Sequence, residues 1–284
     1  MPESLSERAG WPWMINDEFD DTQTQHIHYP RISIITPSFN QVRYIEETIR
    51  SVLLQKYPNL EYIVMDGGST DGSVEILKKY EPWLSFLSVS PDNGQSAAIV
   101  EGFKHATGDI IGWLNSDDYY CQGALERVAH FFVNHPRVVF GNGDVNYIDA
   151  EGQFVERIFA TRPNRFLTAN LGIHGWPQQG CFWRRWAYEK VGGLNTSLQF
   201  CMDRDLFIRL IGIGKSRRIP GLPLANFRIH DQAKSSTILD VARQESLSLI
   251  EKYGNLYFRN KKWLLKTMWR FWRKPADLRS RFNR

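Results

Sequence analysis

The 284 residues are 42% hydrophobic and 23% charged, which excludes a globally disordered chain and allows one or two domains with a sizeable core. Three scattered cysteines, Cys121, Cys181 and Cys201, form neither a disulfide framework nor a metal-type spacing and point to a reducing, cytoplasmic setting. The net charge of +4 is uneven: ten of the 35 Lys/Arg but one of the 31 Asp/Glu fall in residues 259–284. The body is therefore mildly acidic, which argues against nucleic acid as a partner and for an anionic partner of the tail alone.

Residues 1–30 are polar and aperiodic and read as an N-terminal arm, with Trp11 and Trp13 as its anchors. From there strands and helices alternate. Ile32 to Thr36 reads as a strand, Val42 to Gln55 as a helix, Tyr62 to Met65 as a second strand and Ser73 to Tyr80 as a helix. Leu84 to Val89 reads as a third strand, and Asp92 to Gln95 opens a helix running to His105. Ile110 to Leu114 is the fourth strand, Gly123 to Asn134 a helix and Val138 to Phe140 a fifth strand. This rhythm implies βαβ units and a mainly parallel sheet flanked by helices. Parallel strands share a direction, so their polar endings, at Thr36 to Asn40, Asp66, Asp92 and Asp117/Asp118, converge on one edge.

Beyond Gly143 the pattern shifts to a hairpin, Val145–Ile148 and Phe154–Ile158, around Asp149 to Gly152. Short helices follow at Trp186 to Val191, Asp203 to Ile213 and Leu239 to Tyr253. Residues 31–238 read as one domain and 239–284 as C-terminal helices ending in a basic tail. No run approaches the ~20 apolar residues of a membrane span, and no signal-peptide pattern opens the chain.

The pair Asp117–Asp118 ends a short apolar run, Ile110 to Leu114. Adjacent anions repel unless a cation holds them, and a hard cation with phosphate oxygens is the usual solution. The bland alternative is that Asp117 caps the next helix while Asp118 is solvated.

Five segments, Ile34–Asn40 (IITPSFN), Met65–Ser73 (MDGGSTDGS), Asp92–Gln95 (DNGQ), Leu114–Asp118 (LNSDD) and Met202–Leu206 (MDRDL), resemble those of family 2 glycosyltransferases of the GT-A fold, in the family's order. The resemblance spans about Arg31 to His230 and implies inverting transfer of a sugar from a nucleotide-sugar donor, with Mg2+ or Mn2+. It implies that Thr36, Pro37, Ser38 and Asn40 line the nucleoside pocket and that Asp66 accepts a base N–H. A carboxylate cannot accept from the N3 of cytosine, itself an acceptor, so a UDP- or dTDP-sugar is expected. Asp92, Gln95, Asn115 and Ser116 are expected at the nucleoside or sugar, and Asp117, Asp118 and His230 at the metal. Arg228 and Lys234 are expected to add positive charge near the leaving group. Asp203 matches the family's general base, and Trp176, Gln178, Gln179 and Arg184 are expected to form an acceptor or sugar platform.

Two departures stand out: Asn115 occupies the first position of the metal motif, and Met202 replaces the acid before the base. They keep a non-catalytic nucleotide-sugar-binding module of the same fold as the alternative. A sugar-phosphate nucleotidyltransferase fits less well, because Thr36 to Gln41 holds neither Gly nor Lys to grip a triphosphate. The acceptor is expected to be a saccharide or a lipid-linked molecule. From Lys261 to Lys274, Leu264, Leu265, Met268, Trp269, Phe271 and Trp272 share one helical face opposite a basic one. That pattern suits a helix lying on an anionic membrane surface, hence a peripheral location on the inner face of the cell membrane.

Overall fold

The computed structural model describes residues 10–13, 29–172 and 175–255. The amphipathic tail and most of the N-terminal arm lie outside these. The elements are β1 (Ile32–Ser38), α1 (Ile45–Leu53), β2 (Leu60–Asp66), α2 (Ser73–Tyr80), β3 (Phe86–Val89), α3 (Gln95–His105), β4 (Ile110–Trp113), β5 (Tyr119–Tyr120) and α4 (Ala124–Asn134). They continue with β6 (Val138–Asn142), β7 (Val145–Ile148), β8 (Phe154–Ile158), α5 (Arg165–Leu171), β9 (Cys181–Arg184), α6 (Arg185–Lys190), α7 (Met202–Ile213), β10 (Lys215–Arg218), β11 (Ala225–Arg228), α8 (Lys234–Thr237) and α9 (Leu239–Tyr253).

Seven strands form the main sheet in the order β10-β6-β9-β4-β1-β2-β3. All are parallel except β9, which runs antiparallel between β4 and β6. Side chains alternate across each strand, so the sheet feeds two cores. Ile32, Ile34, Tyr62 and Val64 face α1, α2 and α4. Ile35, Ile63, Met65 and Trp113 face α3 and α7, with Leu249 of α9 joining the same core. Each fully buried Ile or Val contributes about 1.5–3 kcal/mol. A one-residue slip would exchange the two faces, so the register is firmly set. Gly102 lets α3 lie close on the sheet, since a Cβ there would meet Ile35 Cγ2 at 2.7 Å.

A second sheet, ordered β5-β11-β7-β8, stands beside the carboxyl edge of the first. It joins the loop after β4 to β11, 105 residues later in the chain, by pairing Tyr120 with Ala225. At the arm, Trp11 Nε1 donates to Tyr120 O (2.7 Å) and Arg50 lies over the Trp13 ring, so both tryptophans do anchor Gly10 to Trp13.

Candidate active site

The carboxyl ends of β1, β2 and β4 and the approach to β9 open into one cleft of about 930 Å3. Parallel strands end there together, and β9, running the other way, begins there. Gly180 permits that entry: a Cβ would sit 2.6 Å from Gly143 O. Pro37, Ser38, Asp92, Gln95, Asn115, Ser116, Asp117, Gln178, Gln179 and Asp203 all line the cleft, as the sequence led us to expect.

Asp117 and Asp118 have different fates. Asp117 is part-exposed, and its Oδ2 lies 3.1 Å from His230 Nε2. Asp118 is 1% exposed and accepts three N–H bonds: Arg228 N (2.9 Å) on Oδ1, and Gln179 Nε2 (2.7 Å) and Asn115 Nδ2 (3.2 Å) on Oδ2. Burial and the adjacent Asp117 charge push its pKa well up, while the three donors oppose that shift. With both oxygens engaged inside the protein, Asp118 is a keystone of the loop rather than a metal ligand. Asn115 now has a reason. Its amide donates to Asp118 and accepts from Gln95 Nε2 (2.8 Å), whereas a carboxylate there would face Asp118 with like charge.

Arg228 also differs from expectation. Its guanidinium is buried and donates to Glu47 Oε2 (2.7 Å), Asp117 O (3.0 Å), Ala150 O (3.1 Å) and Asp149 O (3.3 Å). It braces the backbone of Asp117 and is not available to a leaving group. Lys234 does line the cleft, where Nζ donates to Gln95 Oε1 (2.9 Å) and Gln199 O (3.1 Å).

Five further expectations need correction. Thr36 points away from the cleft, because alternation along β1 turns it to the α1 face, where its hydroxyl accepts from Tyr62 Oη (3.1 Å). Asn40 braces the next loop, its Oδ1 accepting from Thr70 N (3.0 Å), and does not line the cleft. Asp66 is buried and caps its own turn, with Oδ1 accepting from Gly68 N and Ser69 N and Oδ2 from Ser69 Oγ. The carboxylate open to the cleft on that side is Asp92. Trp176 packs in the core against Phe140 and offers no open face. Arg184 lies toward the opposite end of the sheet, because β9 runs away from the cleft, and donates to Val138 O and Phe132 O. Of the expected platform only Gln178 and Gln179 reach the cleft. Gln178 Nε2 is held by Trp113 O (2.7 Å), and the Gln179 amide is committed to Asp118.

Asp203 stands in the first turn of α7 and is partly exposed; Oδ1 accepts from Arg204 N (2.6 Å). That bond serves one N–H of the first turn, while Glu245 of α9, a residue the sequence did not single out, accepts from the N–H groups of Gln199, Phe200 and Cys201 that lead into the helix. Asp205, two positions on, is buried and paired with Arg209 and Lys252, so it belongs to the fold.

Sheet, crossing helices and a polar cleft at the strand ends define an α/β protein of the GT-A class. The sequence profile of "Glycosyl transferase family 2" matches residues 33–191. The chain belongs to glycosyltransferase family 2. An uncharacterized glycosyltransferase of Haemophilus influenzae is 33% identical over 150 residues, covering 51% of this chain and 59% of that protein. The crystal structure of S. aureus TarS 1-349 in complex with UDP-GlcNAc superposes with a TM-score of 0.62 at 19% identity, covering 78% of this chain and 65% of that one. The mannosyltransferase PcManGT of Pyrobaculum calidifontis, in complex with GDP-Man and Mn2+, gives a TM-score of 0.55 at 20% identity over 78% of this chain and 63% of that one. At these identities the two structures speak to fold alone. Among the described residues no helix is long and apolar enough to cross a membrane.

Proposed function

We propose that this protein transfers a sugar from a UDP- or dTDP-sugar to a saccharide or lipid-linked acceptor, with inversion at the anomeric carbon. The observation that carries this reading is one cleft holding two differently used acids: Asp117 beside His230, and Asp203 at the start of α7. The exposed ring of Phe39 offers a face on which the base stacks, and Asp92 offers its N–H an acceptor.

The residues present fit Mg2+ or Mn2+ as a site shared with the donor. Asp117 Oδ2 and His230 Nε2 are close enough to ligate one ion, and among the described residues no cluster of three or more His, Cys, Asp or Glu side chains suited to a metal forms. A hard cation with one or two protein ligands completes its shell with substrate phosphate and water, so the donor diphosphate fits as the missing part. When bound, the ion neutralises charge on the departing diphosphate.

Asp203 is the general base in this reading. It takes the proton from the acceptor hydroxyl as that oxygen attacks the anomeric carbon, and the nucleoside diphosphate departs from the opposite face. The N–H of Arg204 on Oδ1 fixes the orientation of the carboxylate before the acceptor arrives. The basic amphipathic tail would hold the protein on an anionic membrane surface, next to a lipid-linked acceptor.

A thermal-shift panel of UDP-, dTDP-, GDP- and CMP-sugars, with and without Mn2+, tests the donor side. A UDP- or dTDP-sugar should raise Tm only when Mn2+ is present, and Asp117→Asn should abolish that rise without lowering the Tm of the free protein. A full shift in EDTA, or an undiminished one in Asp117→Asn, contradicts the metal reading.

A further inference from the structure

Glu245 sits in the middle of α9 and reaches across to the segment that leads into α7. Its Oε1 accepts from Gln199 N (2.6 Å), and its Oε2 from Phe200 N (2.9 Å) and Cys201 N (2.7 Å). The N–H groups at a helix start lack intrahelical partners. The N-cap residue of α7, Cys201, supplies no capping bond from its side chain. A carboxylate 44 residues further along the chain accepts from the N-cap N–H of Cys201 and from the two N–H groups before it, and its charge complements the N-terminal dipole of α7.

The same segment is gripped twice more, by Ser96 Oγ on Leu198 O (2.8 Å) and by Lys234 Nζ on Gln199 O (3.1 Å). Both of those bonds go to carbonyls. Glu245 alone among these side chains engages the N–H groups, and it does so at three successive residues. Residues 198–203 line the cleft, so whatever fixes Gln199 to Cys201 also fixes where Asp203 stands.

We infer that Glu245 is a positioning residue for the transfer step, holding the turn that carries Asp203; this rests on the reading of Asp203 as the base. The chemistry explains why the residue is an acid. A carboxylate accepts several N–H bonds across its two oxygens, whereas the amide of Gln offers one oxygen and turns an NH2 group toward an N–H. Glu245→Gln therefore keeps the size of the side chain but cannot keep the clamp. Two lesser contacts of α9 reach the same region, Ala242 O accepting from Cys201 Sγ (3.7 Å) and Ser246 Oγ from Arg204 Nη1 (3.0 Å), while Leu249 enters the core and Lys252 and Tyr253 bind Asp205.

The test uses the full chain and follows UDP or dTDP release from whichever nucleotide sugar gives the largest thermal shift, with water as acceptor. In Glu245→Gln, kcat should fall about 10- to 100-fold, the usual consequence of misplacing a catalytic group by about 1 Å. Donor KM should stay within about two-fold, and the amides of Gln199 to Cys201 should exchange faster with deuterium. Glu245→Asp, which keeps the charge on a shorter arm, should recover part of kcat. Leu249→Val serves as a control that loosens α9 without touching the clamp, and its kcat should match the wild type. A normal kcat in Glu245→Gln, or an equal loss in Leu249→Val, overturns the inference. Asp203→Asn measured alongside separates the two readings. Full turnover there contradicts the base assignment and this inference with it. Loss there, with normal turnover in Glu245→Gln, removes the positioning role alone.

Discussion

Replacing Arg228 by Met tests how the site is built. The guanidinium is 1% exposed, pairs with Glu47 at 2.7 Å, and holds Asp117 O at 3.0 Å while lying over the Tyr44 ring. Methionine fills much of the volume but removes the cation paired with the Glu47 carboxylate, itself 8% exposed, and releases three backbone carbonyls. Breaking a buried pair from one side costs about 3–5 kcal/mol, most of it from the charge left behind. Adding Glu47→Leu removes that charge, so the double variant should be about 2 kcal/mol more stable than the two single losses predict when summed. Urea unfolding of the wild type, both single variants and the double variant measures this coupling. The Mn2+-dependent thermal shift should shrink in every variant lacking Arg228, because Asp117 loses the brace on its backbone. A loss below about 1 kcal/mol for Arg228→Met, or single losses that add within about 0.5 kcal/mol, refutes the bracing role of Arg228.

Two other consequences are open to simple measurement. Burial alone would raise the pKa of Glu61, but hydrogen bonds from Ser33 and Thr107 and the charge of Arg31 outweigh it and hold the carboxyl below its usual value. A depressed folded-state pKa stabilises the fold above the unfolded value, ~4.3, and that contribution fades as pH falls through the folded value. Glu61→Gln should therefore lower Tm at pH 7 and make little difference near pH 2; an equal deficit at both would point to lost packing instead. For the tail, vesicles containing anionic lipid should sediment the full chain but not one ending at Tyr253, and equal behaviour of the two would remove the membrane reading.

Much of the first half of the fold was legible because each of β1 to β4 is a short apolar run closed by polar residues. That pattern fixed the carboxyl edge of the sheet, and with it the neighbourhood of Asp92, Asn115 and Asp117. It did not separate Thr36 from the cleft: Thr36 shares the α1 face with Ile32 and Ile34, and its hydroxyl is taken by Tyr62. What the sequence hid is long-range. Arg184 belongs to the buried antiparallel strand Cys181–Arg184 and Trp176 to the segment before it, yet aromatic and basic residues so close together look the same as a surface platform in one dimension, which is why the sequence suggests a binding role for both. Lys215 to Arg218 is a strand with no apolar residue at all, held at the sheet edge by β6. Arg228 meets Asp118 across 110 residues, and Glu245 meets Cys201 across 44. No local periodicity records such contacts. They also decide which acids are structural: Asp66, Asp118 and Asp205 spend their oxygens on the protein's own N–H groups and cations.

The most direct test of the account is turnover by Asp203→Asn. Nucleotide-sugar binding in the presence of Mn2+ should be unchanged, because Asp203 belongs to the acceptor side, while kcat should fall ~10²–10⁴-fold, the usual contribution of a general base. Turnover within a few-fold of the wild type, or a comparable loss of nucleotide affinity, would contradict the assignment of the cleft to inverting sugar transfer with Asp203 as its base.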